Sequence, residues 1–253
     1  MTCRAVKRAF IVLLSLLPAL QAFPQFIYQP LSARSSALGG CIVGDGPERY
    51  VATGYRAAFG MAGCATASLD ASFLLGERGR LTLGYSHFGD VDYAEHQALL
   101  GCSRRVGRQV ALGVAAGYYV QAVGDGHYAA RRWLAPAVTA CVGVSPKVRF
   151  TAMAGTRPWD KSRPWRMHAG LSYRAVNRLL TLVEVESEER WRLRMGVEYC
   201  YRQHFFFRTG LATAPLVITA GVGVYYGRYL VDLSVESHPV LGLTPHLSLS
   251  VCF

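Results

Sequence analysis

The sequence predicts an all-β protein, a transmembrane antiparallel β-barrel of about fourteen strands, or twelve if the first two fail. Three observations point there. Apolar and polar residues alternate over stretches of roughly ten residues, and no long helical period follows the N-terminal segment. Tight links between these stretches alternate with looser ones. Aromatic residues stand near both ends of the apolar faces, where the two interfaces of a bilayer would lie.

The N-terminal residues are read apart from the barrel. Residues 1–22, MTCRAVKRAFIVLLSLLPALQA, begin with basic Arg4, Lys7 and Arg8. An apolar run from Ala9 to Leu17 follows, and small Ala22 marks the cut. That is the layout of an export signal, too short to span a bilayer comfortably. Its removal takes three of 27 basic residues and none of the 16 acids, leaving 24 − 16 = +8. A basic surplus raises nucleic acid as a partner, but the charges are spread along an exported chain, so nucleic acid is set aside. Residues 23–48 are expected to form a periplasmic or inward-folded, plug-like segment, and 49–253 the barrel. ALGGC (37–41) has the look of a lipid-attachment box, but no apolar run directly precedes it.

The strands follow in order. The first two, 49–57 and 62–75, set the fallback count. The third, 79–88, puts Leu81, Leu83 and Tyr85 on one side against Thr82, Gly84 and Ser86. The fourth covers 94–105. In the fifth, 109–121, Val110, Leu112, Val114 and Tyr118 share a face opposite Gln109, Gly113 and Gly117. Strands at 131–144, 147–155 and 165–175 come next, the last with Trp165 and Tyr173 towards its two ends. After 178–186 comes the clearest pattern, at 190–201. Trp191, Leu193, Met195, Val197, Tyr199 and Tyr201 share one face, and Arg190, Arg192, Arg194, Glu198 and Arg202 the other. The remaining strands are 204–212, 215–226, 228–236 and 243–253. Trp165, Tyr173, Trp191 and Tyr201 are expected to form an aromatic girdle.

Links at 75–80, 106–108, 145–147, 176–177, 202–203 and 226–228 are tight. Those at 89–93, 123–131, 156–165, 186–189 and 237–242 are often longer and richer in Pro, Gly and acid. This alternation fits one periplasmic and one external rim. The short link from Leu211 to Pro215 departs from it. Closure removes the sheet edges, whose unpaired backbone groups would each cost several kcal/mol in lipid. The last stretch, PHLSLSVCF, alternates Leu247, Leu249, Val251 and Phe253 with His246, Ser248, Ser250 and Cys252. It is expected to pair with the first strand, and its terminal aromatic resembles the assembly signal that the outer-membrane insertion machinery reads.

Two stretches carry a more specific likeness. GRLTLGYSHFGDVDYAEHQALLGCSRRVGRQVALGVAAGYYVQAVGDGHY (79–128) and FFFRTGLATAPLVITAGVGVYYGRYLVDLSVESHPVLGLTPHLSLSVCF (205–253) resemble membrane strands of PorV/PorQ-type outer-membrane proteins, relatives in fold of FadL-type channels. Asp232 on an inward face, the His238-Pro239-x-x-Gly242 loop and the terminal strand carry the likeness to their closing hairpin. SARSSALGG (32–40) resembles the segment such proteins place before strand one. The resemblance implies type IX secretion and a scaffold or accessory role in cell-surface export, with protein-export components as partners. Where an Asn-Pro-Ala segment would follow, this chain has CIVGDGPERYV, and its outer loops are brief.

No catalytic set is evident. There is no Gly-x-Ser-x-Gly elbow, and in YSHFGD (85–90) Ser86 and His87 point to opposite faces of a strand. GVGVYYG (221–227) mimics part of a dinucleotide loop, but no helix follows it. Its glycines suit small positions in a curved strand. Six cysteines outside the signal (Cys41, Cys64, Cys102, Cys141, Cys200, Cys252) lie singly in apolar runs, without metal-ligand spacing. His238 and His246 lack a third ligand. No metal and no cofactor is expected.

The charges are the best lead. If the aromatic-rich face meets lipid, the lumen receives Glu184, Glu186, Arg190, Arg192 and Arg194, then Glu198, Arg208 and Asp232. Arg80, Arg166, Arg174, Arg202 and Glu236 fall on the same side. An Arg at mid-bilayer would cost about 2–4 kcal/mol. Two readings stand: an anion-selective surface, or an ion-paired filling in which Glu184 and Glu186 meet the arginines across the hairpin. The expected setting is the outer membrane of a Gram-negative bacterium. Function divides into a non-enzymatic export accessory, a FadL-like or porin-like passage for small solutes, and, least favoured, a surface enzyme.

Overall fold

Period-two alternation gives each strand a wet and a dry side, and a curved sheet with such sides can close on itself. In the computed structural model it does so: fourteen strands are hydrogen-bonded into a closed barrel. The structure describes residues 32–42 and 48–253, apart from 125–128, 158–164 and 188–190. The export signal at 1–22 and Arg190 lie outside the described residues.

A short helix, α1 (Ala33–Ala37), precedes β1 (Tyr50–Ala57), β2 (Ala65–Leu75), β3 (Gly79–Gly89), β4 (Tyr93–Arg105) and β5 (Val110–Val123). Next come β6 (Arg131–Ser145), β7 (Val148–Thr156), β8 (Trp165–Val176), β9 (Leu179–Ser187) and β10 (Trp191–Tyr201). The chain finishes with β11 (Phe205–Ala212), β12 (Val217–Tyr226), β13 (Tyr229–His238) and β14 (Gly242–Cys252). Each strand pairs antiparallel with its chain neighbour, and β1 pairs with β14 from Tyr50↔Cys252 to Arg56↔His246. Short links at 76–78, 146–147, 177–178 and 227–228 form one rim, with Tyr50 and Cys252. We call it the turn rim, and the opposite one the loop rim.

The largest shift from the expected boundaries is at β2, which starts at Ala65 rather than 62. Residues between β1 and β2 instead form two one-turn 3₁₀ segments, Ala58–Gly60 and Ala62–Cys64. Phe59 takes a left-handed backbone (φ 56), and its N–H donates to Thr244 Oγ1 at 3.0 Å. That bond folds the link inward over the loop-rim end of β14. Arg202 corrects another expectation: it sits exposed in the β10–β11 turn with φ 48, its guanidinium over the Tyr201 ring, and not on a lumen-facing strand position.

Outside, the barrel is apolar on every side. Tyr55, Leu69, Leu134, Ile218 and Leu243 are each more than half exposed. Water-soluble monomers rarely leave contiguous apolar surface on this scale, and hydrocarbon is the medium that suits it. Many inward positions are small or charged, Ser72, Thr219, Ser234 and Ser248 being almost wholly buried, and two apolar clusters, Leu99 and Met153 with Ile42 and Leu180 and Leu182 with Leu38, complete the interior. Part of that burial comes from the other strands, and part from residues 32–42, which lie inside the ring.

Candidate functional site: a charged cup floored by the N-terminal segment

Ser32 starts α1 as its N-cap, accepting from Ser35 N–H on its Oγ, and the chain then turns through Gly39 and Gly40, both left-handed (φ 73 and 77). This segment is bonded to inward side chains of four strands, β9, β10, β12 and β14. Ala33 N–H donates to Ser248 Oγ at 3.2 Å, and Ser36 Oγ shares a 2.9 Å hydrogen bond with His246 Nδ1. Thr219 Oγ1 donates to Ala37 O at 2.8 Å and accepts from Gly39 N–H at 3.0 Å. Ile42 N–H donates to Glu184 Oε2 at 2.8 Å. Arg194 Nη1 donates to Gly40 O at 2.8 Å.

The wall thins to admit it. A Cβ on Gly196 would stand 2.7 Å from Leu38 O, and one on Gly221 2.5 Å from Ala37 Cβ. One on Gly210 would overlap the Gly39 amide nitrogen. So the glycines of GVGVYYG have a local reason to be small: Gly221 clears the segment, and Gly223 clears Asp232 and Arg208.

The charges sort into two groups. On β10, β11 and β13, Arg34 reaches Glu198 with Nε–Oε2 2.7 Å and Nη2–Oε1 3.0 Å. Arg208 donates to Glu198 Oε2 at 2.7 Å and to Asp232 Oδ1 at 2.6 Å. Two cations and two anions balance there. The second group, on β8, β9 and β10, centres on Glu186, which accepts from Arg166 Nη2 at 2.6 Å and Arg194 Nε at 3.0 Å. Glu184 meets His168 Nδ1 at 2.7 Å and the Ile42 amide. Register and bonding differ here: Arg194 lies opposite Glu184 and Arg192 opposite Glu186, yet Arg194 bonds diagonally to Glu186. Glu184 instead takes the Ile42 N–H and His168 Nδ1.

Above this floor, towards the loop rim, lies a cavity of about 310 Å³. Arg56, Arg166, Arg192 and Arg194 line it together with Phe59, Pro215 and Val217, and Gly39, Gly40 and Ile42 close its base. Arg56 donates to Glu236 Oε2 at 2.8 Å, and the Phe59 ring meets His238 edge-on at 6.1 Å. The wall is low on one side. The short link noted at Leu211 to Pro215 is the β11–β12 connection, where cross-strand pairing ends at Arg194↔Ala212 and Ala212↔Val217. Arg192 stands beside that dip, its Nε and Nη2 donating to Ala214 O at 3.3 and 3.1 Å.

Of the residues singled out from sequence, Glu186, Arg194, Glu198, Arg208 and Asp232 are brought into these ion pairs, Glu184 is hydrogen-bonded to His168 and the Ile42 amide, and Arg192 lines the cavity. Trp165, Tyr173, Trp191 and Tyr201 point outward and are exposed. Trp165 and Trp191 begin their strands at the loop rim; Tyr173 and Tyr201 lie at the turn rim. On β14, Leu247 and Leu249 are exposed outside and Val251 half-exposed; Phe253, one residue past the strand, is exposed and its N–H donates to Arg49 O at 3.3 Å. His246 bonds Ser36, and no group of three or more metal-ligating side chains occurs among the described residues. All six described cysteines are free thiols. Sequence reasoning missed Arg34, Ser36, His168 and Thr219. His168 shares strand parity with Arg166, which could have found it. Nothing in a local pattern marks Arg34 or Ser36, whose partners are 164 and 210 residues away.

No family model matches the sequence, and no curated protein does. Solved structures match in fold. One described as the CymD monoaromatic hydrocarbon channel superposes with a TM-score of 0.67 at 11% identity, covering 92% of this chain and 99% of its own. The Pseudomonas putida toluene transporter TodX gives 0.65 at 10% identity, over 91% of this chain and 98% of its own. The Acinetobacter baumannii outer membrane protein Omp33 gives 0.58 at 10% identity, over 82% and 98%. At such identities the likeness is one of fold.

Proposed function

We propose that this barrel sits in the outer membrane of a Gram-negative bacterium and serves as a FadL-like or porin-like passage for small solutes, without enzymatic activity. The observation that carries the reading is the cup: a charged cavity beneath the loop rim of a closed barrel, with a bonded N-terminal segment as its base. The solved structures of like fold support the same reading, since two of those compared are described as a hydrocarbon channel and a toluene transporter. The export-accessory role rests on the sequence likeness to PorV/PorQ-type proteins alone.

Purified protein reconstituted in planar bilayers is expected to give discrete conductance steps, small because residues 32–42 narrow the path. A silent bilayer containing folded protein would overturn the passage. Recovery of export components from detergent extracts would favour the accessory role instead.

A further inference from the structure

We infer that the cup binds a small monocarboxylate with a compact apolar body, the carboxylate on Arg192 and the body against Phe59, Pro215 and Val217. This deepens the passage reading by naming what the chamber holds. Three observations carry it. The first is charge. Among the described residues around the cavity, the four guanidiniums of Arg56, Arg166, Arg192 and Arg194 face the three carboxylates of Glu184, Glu186 and Glu236. The surplus is one positive charge, which a monoanion would neutralise. The deeper Arg34–Glu198–Arg208–Asp232 chain is already balanced.

The second is where that surplus sits. Glu236 takes Arg56, and Glu186 takes Arg166 and Arg194. Arg192 holds a main-chain carbonyl with Nε and Nη2, and its Nη1 is 3.9 Å from an already shared Glu186 Oε2. Its side chain is 32% exposed. Guanidinium donors beyond the Ala214 bond are thus presented on the cavity side of a planar fork, the geometry that carboxylates match. The third is shape and lining. About 310 Å³ is near the lower end for small-ligand pockets, too little for a long chain. Phe59, Pro215 and Val217 give the wall an apolar sector that a bare inorganic anion would leave unfilled.

The test is calorimetric titration of the full-length protein in detergent at fixed ionic strength. The probes are benzoate, benzyl alcohol (the same body without charge), acetate (the charge without the body) and inorganic phosphate. Benzoate is expected to bind saturably and about tenfold more tightly than any of the others, the worth of one charge-assisted hydrogen bond. Arg192→Gln should lower benzoate affinity about tenfold and leave benzyl alcohol unchanged. Arg192→Lys should fall between, and Arg228→Gln at the turn rim should match the parent. Non-saturable benzoate, phosphate binding more tightly than benzoate, or an unaltered Arg192→Gln titration would each overturn the site. The comparison of probes on the parent protein decides the matter even if a variant fails to fold. Conductance measured on the same preparation separates the two ideas. Steps without benzoate binding sink the site and spare the passage; binding with a silent bilayer does the reverse.

Discussion

Arg192 and Arg194 are two positions apart on one strand and share a face, yet their surroundings assign them different work. Arg194 is built into the floor through Glu186 and the Gly40 carbonyl. Arg192 looks into the cup. Arg194→Gln should therefore lower resistance to urea unfolding, while Arg192→Gln should leave stability near the parent and shift the reversal potential of the channel towards cation preference. Glu198 has the larger structural consequence. Replacing it with Gln strips both Arg34 and Arg208 of a buried counter-charge, and breaking such a pair costs about 3–5 kcal/mol. Urea titration followed by tryptophan fluorescence should show a midpoint well below the parent's; an unchanged midpoint would mean that Arg34 does not hold Glu198. The alternation placed all three side chains in the lumen from the sequence. It could not rank them, because the ranking is set by Ile42 and Gly40, residues of a segment whose position no local period encodes.

Among the elements, the strands were the most legible part and residues 32–42 the least. Period two is legible because the outward face is apolar in strand after strand; it slips only locally, between Gly143 and Ser145 on β6 and between Arg174 and Val176 on β8. The start of β2 was misjudged for the opposite reason: Ala62 to Cys64 are small residues that read as strand but form a 3₁₀ turn, next to a link held inward by the Phe59 N–H on the Thr244 hydroxyl. The seat of the N-terminal segment depends on where the wall has no side chains. Gly210→Val is expected to push Gly39 off β11 and loosen the floor, since the added atoms overlap the Gly39 amide. In planar bilayers the variant should conduct more than the parent. In a background retaining only Cys41, now buried, it should react faster with a water-soluble maleimide. If neither rate changes, the segment is not seated on Gly210.

The whole molecule presents one argument about solvent. Its exterior is apolar around the full ring, and Trp165, Tyr173, Trp191 and Tyr201 fall near the two rims. Trp165 and Trp191, both near the loop rim, should be quenched by lipids brominated close to the headgroup more strongly than by lipids brominated near the chain ends. Equal or absent quenching would place the belt elsewhere. Ala33 is joined to Ser248, 215 positions later in the chain, and Ser36 to His246 beside it. The earliest-made piece of the interior is therefore tied to the final hairpin, and contacts so distant in sequence are slow to form. Two of the segment's hydrogen bonds are made to β14, so it reaches its final seat only once that last strand is in place, and the barrel is completed from within as well as at its seam.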